Sequence, residues 1–292
     1  MTAIFERELR SYFNGVTGYI FGGFILLFTG IYTMAINLSN TYSNFEYALS
    51  NMSFVFLIAI PVLTMRVIAE DRRQKTDQLL YALPKSMTKI VLGKYLAMVT
   101  VLAVPLAIMC VYPLILSLFG VVNFASAYSA ILAFFLLGAT LAAMGMFVSA
   151  LTENQIVAAV LCFIIVLINY FISSLASFVS ATAMSSVIAL SVAALAVGAI
   201  FWLLTKNIMA GIALFAICEG ALILFYVRSP ELLEGLFPSV MEKLSVFDRF
   251  YTFVYGVFDM TAIVYFLTVI GVFIFLTVQA MEKKEVFINE KT

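Results

Sequence analysis

Residues 126–150 read SAYSAILAFFLLGATLAAMGMFVSA and carry no charged side chain. A helix needs about 20 apolar residues to cross the ~30 Å hydrocarbon core of a bilayer, so this stretch is long enough to span a membrane. The whole chain of 292 residues is 64% hydrophobic and 11% charged. Because a soluble domain carries roughly 25% charged residues, lipid must be the solvent for much of this chain.

Seven other segments share this length and apolar character. They run near 17–37, 52–69, 90–118, 155–177, 182–205, 208–228 and 259–281. We therefore predict an all-α, polytopic transmembrane helical bundle of about eight spans. An alternative interpretation merges or removes one of the two spans between 182 and 228.

The positive charges favour one orientation of this bundle. With the N-terminus inside, thirteen Lys and Arg residues face the cytoplasm, and three face outward: Arg228, Lys243 and Arg249. Cytoplasmic loops of multi-pass proteins are enriched in Lys and Arg. We predict that both termini are cytoplasmic and that the protein lies in the cell membrane, surrounded by the lipid bilayer.

The first 16 residues precede the first span and are amphipathic. Phe5, Leu9, Tyr12 and Val16 recur at helical spacing, and the charged residues 6, 7 and 10 fall on the other face. The pattern predicts an interfacial helix over residues 1–16. An anchor that sets the topology and a mechanical role both fit this helix.

Residues 65–95, MRVIAEDRRQKTDQLLYALPKSMTKIVLGKY, are far more charged than their surroundings and join the second and third spans on the predicted cytoplasmic side. Arg66 and Glu70 are four residues apart, as are Glu70 and Gln74. A helix can therefore continue beyond the bilayer with these side chains paired on one face. We predict a cytoplasmic loop over residues 70–89.

A short helix is expected inside that loop, because Thr76 can cap it and Pro84 ends it. It would expose Leu79, Leu80 and Leu83 to the cytosol. Such leucines need a surface to cover them, and either the lipid interface or a cytosolic protein would serve. A solvated interfacial loop is the alternative.

A stripe of small residues and a short loop follow in the centre of the chain. Gly138, Ala142, Gly145 and Ser149 lie on one helix face, where another backbone can approach closely, and ordinary packing is the favoured interpretation. Residues 151–155 form a short inner loop, in which the T-x-x-Q spacing predicts a capping box.

Further along, residues 178–228 contain the two predicted spans 182–205 and 208–228. Residues 229–258 are predicted to be an extracytoplasmic loop. This loop contains an amphipathic run from Val240 to Phe258, which would rest on the outer interface or plug the mouth of a pathway. Asn169 and Glu219 fall near the middle of predicted spans. A polar group in hydrocarbon suggests a substrate or proton site, although a hydrogen-bonded group at a helix interface also fits.

Motifs for chemistry are missing from the sequence. It has no His, no G-x-x-x-x-G-K-[ST] loop and no nucleophile elbow, and its three Cys residues lie in apolar runs. We expect a non-catalytic membrane subunit without a cofactor, a metal or a nucleic-acid partner. Its energy must come from a partner protein or from an ion gradient.

Several short segments together form a recognisable pattern: FERELRSYF at 5–13, GYI at 18–20, LTMR at 63–66, AED at 69–71, TDQLL at 76–80, LP at 83–84, VLGKY at 91–95, LTENQ at 151–155 and GVFD at 256–259. This pattern resembles the permeases of ABC type-2 transporters, in the branch of the gliding-motility and nitrous-oxide-reductase-maturation permeases. The resemblance covers about two-thirds of the chain. Residues 63–95 are its most specific part.

This resemblance implies a permease subunit that couples ATP hydrolysis on a separate ATPase chain to substrate movement, with export expected. ATP–Mg would bind to the ATPase, and a second permease copy or paralogue would complete the membrane part. An extracytoplasmic accessory protein often joins such complexes. The residues expected to dock the ATPase are Glu70, Asp71, Arg73, Thr76, Asp77, Leu79, Leu80, Leu83 and Pro84, with a secondary contact at Glu153 and Asn154.

The chain departs from the family pattern, which has six spans, because residues 178–228 resemble an inserted helical pair. Lys75-Thr76-Asp77 also stands where the family usually has Gly-Thr. Two alternative functions remain open at this point. One is a membrane adaptor that transmits ATPase motion to an extracytoplasmic partner, and the other is a secondary transporter driven by an ion gradient.

Overall fold

A computed structural model describes residues 2–40, 42–75, 86–178, 180, 182–205, 208–228 and 230–289, and all regular elements in these ranges are helical. The prediction of an all-α membrane bundle is therefore confirmed. The helices are α1 (Thr2–Asn14), α2 (Thr17–Tyr32), α3 (Phe45–Met52), α4 (Phe56–Thr64), α5 (Ala69–Arg73), α6 (Met87–Met109), α7 (Tyr112–Leu116), α8 (Phe124–Leu151), α9 (Gln155–Phe178), α10 (Ala183–Thr205), α11 (Ile208–Arg228), α12 (Leu236–Leu244), α13 (Val246–Val254) and α14 (Met260–Asn289). A π-helical turn, Thr33–Leu38, extends α2, and a 3-10 turn, Ser53–Val55, joins α3 to α4.

Six helical segments among the described residues are long and apolar enough to cross a membrane. They are Thr17–Leu38, Phe45–Arg73, Met87–Leu116, Phe124–Leu151, Gln155–Phe178 and Met260–Lys283. The other predicted spans correspond to α10 and α11, whose described side chains include the shorter apolar stretches Ala183–Val192 and Phe215–Leu224. That these two helices span the membrane, and that they are an insertion, stay predictions.

The chain divides into two units. Unit 1 comprises Met1–Ile168 and Val246–Thr292, and unit 2 comprises Asn169–Ser245. Within unit 2, α10 packs along α11 and also contacts α12. Helix α9 begins in unit 1 and ends in unit 2.

Helix α8 is the centre of unit 1. It packs against α3, α4, α5, α6, α13 and α14, and most of its side chains are buried. A Cβ atom added at Gly145 would lie 2.4 Å from Thr64 Oγ1, and one added at Gly138 would lie 2.8 Å from Leu102 Cδ2. The stripe of small residues therefore serves close helix packing inside the bundle, as the favoured interpretation held.

The second span begins earlier than predicted, at Phe45 rather than near residue 52. Asn44 has an extended backbone, and α3, the 3-10 turn and α4 then continue without a break. As a consequence Glu46, which the sequence pattern placed in a loop, belongs to the first turn of this span.

The amphipathic run predicted from 240 to 258 does not form one helix. Ser245 adopts an extended backbone and separates α12 from α13. In unit 1, α13 packs against α8 and α3, and its apolar residues Phe247, Phe250 and Phe253 are buried by protein. Whether residues 229–258 lie outside the cell stays a prediction.

Candidate functional site

Charged side chains gather at one end of unit 1, where α1, α5 and the first turns of α6 meet. We call this the basic end, after its residues Arg66, Arg72 and Lys94. It also includes the first turn of α2 and the last turn of α8, as the contacts below show.

Lys94 is the most buried charged residue of this group. It is 1% exposed, and its Nζ lies 2.9 Å from Glu8 Oε1 of α1 and 2.6 Å from Asp71 Oδ2 of α5. It also donates a hydrogen bond of 2.8 Å to the carbonyl oxygen of Val67. Because a buried ammonium is costly unless charges and hydrogen bonds compensate it, these three partners hold α1, α5 and α6 together.

A second cation, Arg7, helps to balance the two carboxylates that surround Lys94. Arg7 Nη2 lies 2.7 Å from Glu8 Oε1, and this hydrogen bond raises the pKa of Arg7. Two cations therefore face two carboxylates, Glu8 and Asp71. Nearby, burial raises the pKa of Tyr12, and its hydroxyl donates to the carbonyl oxygen of Leu63 at 3.1 Å. The Tyr12 hydrogen bond fastens α1 to α4, whereas the Arg7–Glu8 pair lies within α1.

Arg66 connects the start of α5 to α2. Its Nε lies 2.7 Å and its Nη2 3.2 Å from the two carboxylate oxygens of Glu70, and its Nη1 donates to Thr17 Oγ1 at 2.7 Å. Gln74 Nε2 also donates to Glu70 Oε1 at 3.1 Å. Both pairings predicted from the spacing of four residues are confirmed.

Helix α5 is also held against the end of α8. Ser149 Oγ accepts hydrogen bonds from the backbone N–H groups of Ile68 and Ala69, at 3.2 Å and 3.1 Å. The buried Arg72 donates through Nη1 to the carbonyl oxygen of Ala150. A cation near the C-terminus of a helix interacts favourably with the helix dipole. The base of the 70–89 loop is thus attached to the central helix of unit 1.

The predicted docking residues fall into three groups. Glu70 and Asp71 are engaged within the chain, by Arg66 and Lys94 respectively, whereas Arg73 is exposed. The remaining predicted residues, which are Thr76, Asp77, Leu79, Leu80, Leu83 and Pro84, lie outside the described residues.

The secondary contact predicted at Glu153 and Asn154 lies between α8 and α9, and both side chains are exposed. The capping box predicted there is wrong. Thr152 has an extended backbone and α9 begins only at Gln155, so the cap falls on Asn154, whose Oδ1 accepts from Ile156 N at 2.9 Å. Since Arg72 bonds to Ala150, the base of the 70–89 loop and the start of the 151–155 loop lie at the same end of unit 1.

Glu219 and Asn169 both have hydrogen-bond partners within unit 2. Ser191 Oγ of α10 donates to Glu219 Oε2 of α11 at 3.0 Å. Asn169 Nδ2 donates to the carbonyl oxygen of Leu244 at 3.4 Å. The first bond crosses from one helix to its neighbour, which fits a structural role for Glu219. A substrate or proton role for either residue stays a prediction.

Lys94 and Glu8 were not predicted from the sequence as site residues. Lys94 follows Gly93 at the apolar start of a span, and this isolated charge among apolar residues was the available signal. Glu8 lies on a helix face with other charges, so its partner could not be found from spacing. Only the packing of α1 against α6 identifies the pair.

A multi-pass helical bundle with a charged end and no nucleotide-binding motif of its own fits a membrane transport component. Residues 24–286 match the family model described as ABC-2 family transporter protein. The chain belongs to this family and is a permease component of an ABC transporter. No match was found among curated proteins or among solved structures.

Proposed function

We propose that this permease couples ATP hydrolysis on a separate ATPase subunit to export of a substrate across the cell membrane. ATP–Mg binds to the ATPase, and two permease chains, identical or paralogous, form the pathway. The membership of the ABC-2 family supports an ATPase partner and a dimer. In this proposal both termini are cytoplasmic, so that the basic end faces the ATPase.

One observation carries the proposal: the base of the 70–89 loop is attached to four other helices. Asp71 reaches α6 and α1 through Lys94, Glu70 reaches α2 through Arg66, and Arg72 reaches α8. A force applied to the loop would therefore be passed to the spans. This arrangement is what a coupling element requires.

In this proposal the docking residues have different tasks. Glu70 and Asp71 hold the base of the loop, because their carboxylates are paired within the chain. Arg73 and residues 76–84 supply the contact with the ATPase, with Glu153 and Asn154 as a second contact. The leucines of the loop are then covered by a groove of the ATPase.

The resemblance to the gliding-motility and nitrous-oxide-reductase-maturation permeases narrows the proposal further. Within that branch, an extracytoplasmic accessory protein would join the complex. Residues 178–228 would be an insertion with a role specific to this chain.

Site-specific photocrosslinking in cells tests the docking role. A photoreactive amino acid at Leu80 should crosslink to a protein that mass spectrometry identifies by its nucleotide-binding P-loop sequence. The same probe at Leu118, an exposed leucine near the other end of unit 1, is the matched control and should not crosslink to that protein.

Charge and polarity changes then test coupling. Arg73→Glu and Leu80→Asp should reduce co-purification of the ATPase, or they should abolish the increase in the rate of ATP hydrolysis that the permease causes. Leu118→Asp should do neither. A crosslink from Leu118 but not from Leu80, or unchanged stimulation in both loop variants, would contradict the proposal.

A further inference from the structure

A second polar cluster lies at the other end of the Phe45–Arg73 span, around Glu46. Glu46 is 3% exposed. Its Oε1 accepts hydrogen bonds from Asn44 Nδ2 at 3.0 Å and from Ser126 Oγ of α8 at 3.1 Å. Its Oε2 is buried and has no hydrogen-bond partner among the described residues. One half of this carboxylate is therefore unsatisfied.

Asn37 belongs to the same cluster and also has a buried oxygen without a hydrogen-bond partner among the described residues. Its Nδ2 donates to the carbonyl oxygens of Tyr42 and Asn44, at 2.8 Å and 2.9 Å, which connects it through Asn44 to Glu46. Its Oδ1 is buried without a partner in the described part of the chain, as is Thr33 Oγ1 one turn earlier. Both residues lie in the π-helical turn Thr33–Leu38, and such turns occur frequently at functional sites.

A cavity adjoins this cluster. Its volume is about 200 Å³, and it is lined by Asn37, Leu38, Tyr42, Ser43, Leu116 and Phe119. The cavity is large enough for several water molecules, each of which takes about 30 Å³ in the liquid. Asn37 therefore adjoins a space that is large enough to hold water.

Ion pairing does not compensate Glu46 within the described part of the chain. In the described ranges Glu46 has no ion pair, and of the elements packed against α3 only α13 carries charged side chains, Asp248 and Arg249. The guanidinium carbon of Arg249 lies 5.4 Å from the ring centroid of Tyr265, over its face. The other titratable side chains on those elements are phenols: Tyr19, Tyr32, Tyr112, Tyr128 and Tyr251.

The chemistry of the missing partner follows from these atoms. The unsatisfied carboxylate, amide and hydroxyl oxygens can all accept a hydrogen bond or bind a cation, and one of them carries negative charge. A buried carboxylate is costly unless a positive charge compensates it. A single carboxylate is neutralised by a single positive charge.

We propose that Glu46 binds one alkali metal ion at the end of the bundle opposite Lys94. The cation satisfies Oε2, while Ser126 and Asn44 hold Oε1. Occupancy of the site stabilises the contact between α3 and α8. The proposal does not depend on the docking role of the 70–89 loop.

Thermal unfolding of the purified protein in lipid nanodiscs tests the site. Sodium or potassium chloride is compared with N-methyl-D-glucamine chloride at equal ionic strength, for the wild type, Glu46→Gln and the exposed control Glu231→Gln. Sodium or potassium should raise Tm by about 2–4 °C in the wild type and in the control, but not in Glu46→Gln.

Ser126→Ala keeps the charge of Glu46 and covers the case in which Glu46→Gln does not fold. It removes a donor to Oε1, so it should increase the dependence of Tm on sodium or potassium. The proposal is overturned if the alkali ions have no specific effect, if the wild type and Glu46→Gln respond identically to each cation, or if only Mg²⁺ or Ca²⁺ produces a gain that depends on Glu46.

Discussion

Lys94 Nζ of α6 lies 2.6 Å from Asp71 Oδ2 of α5, and these residues stand on either side of the segment 76–85. The ion pair therefore holds the two ends of the 70–89 loop together. Glu8 joins the same ammonium at 2.9 Å and adds the N-terminal helix. A movement of the loop would be felt by α1, α5 and α6 together.

Lys94→Met should destabilise the protein by up to about 3–5 kcal/mol, because it leaves two carboxylates without their ammonium. The lower part of that range is expected, since Glu8 and Asp71 retain 14% and 20% exposure. Lys89→Met, on an exposed side chain of the same helix, is the control for the loss of a Lys. Denaturant unfolding in detergent micelles measures both.

A double-mutant cycle separates the pair from other effects. Asp71→Asn combined with Lys94→Met should cost less than the sum of the single changes, because the second change removes the stranded carboxylate. Additive costs would contradict a direct interaction.

Gly145→Ala should destabilise the bundle by about 1–3 kcal/mol through overpacking. The added Cβ would lie 2.4 Å from Thr64 Oγ1 and 2.8 Å from Thr64 Cβ. Gly271→Ala in α14 is the matched control, because its Cβ would meet no atom within 4 Å. The control should be neutral, or more stable by up to about 1 kcal/mol from helix propensity.

Thr64→Ala should partly restore the stability of Gly145→Ala, since it removes Oγ1 and Cγ2 at the contact. Unfolding midpoints of the single and double variants measure this partial recovery of stability. Equal stability of Gly145→Ala and Gly271→Ala would show that α4 is not in contact with this face of α8.

Asp259 should contribute to stability at neutral pH but not in acid. Its Oδ1 accepts a hydrogen bond of 2.8 Å from the backbone N–H of Thr261, and this bond holds the pKa of Asp259 below its usual value. A depressed folded pKa means that the contribution is complete above the unfolded pKa of about 3.9 and is lost as pH falls through the folded pKa.

The measurement is the Tm difference between the wild type and Asp259→Ala from pH 7 downward. The difference should be present at pH 7 and should shrink below about pH 4. Asp259→Asn keeps an acceptor oxygen without the charge. Its Tm advantage over Asp259→Ala should therefore be smaller than that of the wild type at pH 7 and should not depend on pH. A wild-type advantage that grows in acid would refute the assignment.

The orientation predicts which loops are reached from outside the cell. In a variant without the native cysteines 110, 162 and 218, Glu231→Cys should react with a membrane-impermeant maleimide in intact cells. Lys89→Cys should react only after permeabilisation. Both positions are exposed, so the two variants control for each other. The reverse pattern would place the N-terminus outside.

Local patterns predicted much of the fold and part of the basic end. Six apolar segments were found because lipid demands a minimum length of uninterrupted apolar helix. The pairing of Arg66 with Glu70 followed from a spacing of four residues, which any helix brings to one face. The stripe containing Gly145 was recognised by the same periodicity.

Predictions failed where a single residue ends or caps a helix. The run from Val240 to Phe258 has a continuous amphipathic period, yet Ser245 breaks it. The cap of α9 falls on Asn154 rather than Thr152, because the helix begins only at Gln155. Periodicity reports which face a residue would occupy in a helix, not whether the helix continues.

The amino-acid sequence by itself determined that this chain is a multi-pass helical membrane protein, because the length and apolarity of its segments leave no other way to satisfy the backbone in lipid. Tertiary structure alone decided that Lys94 meets Asp71 and Glu8, and that Glu46 meets Ser126. These partners are far apart along the chain and lie on different helices. Their meeting depends on how whole helices pack against α6 and α8, and no local spacing encodes that packing.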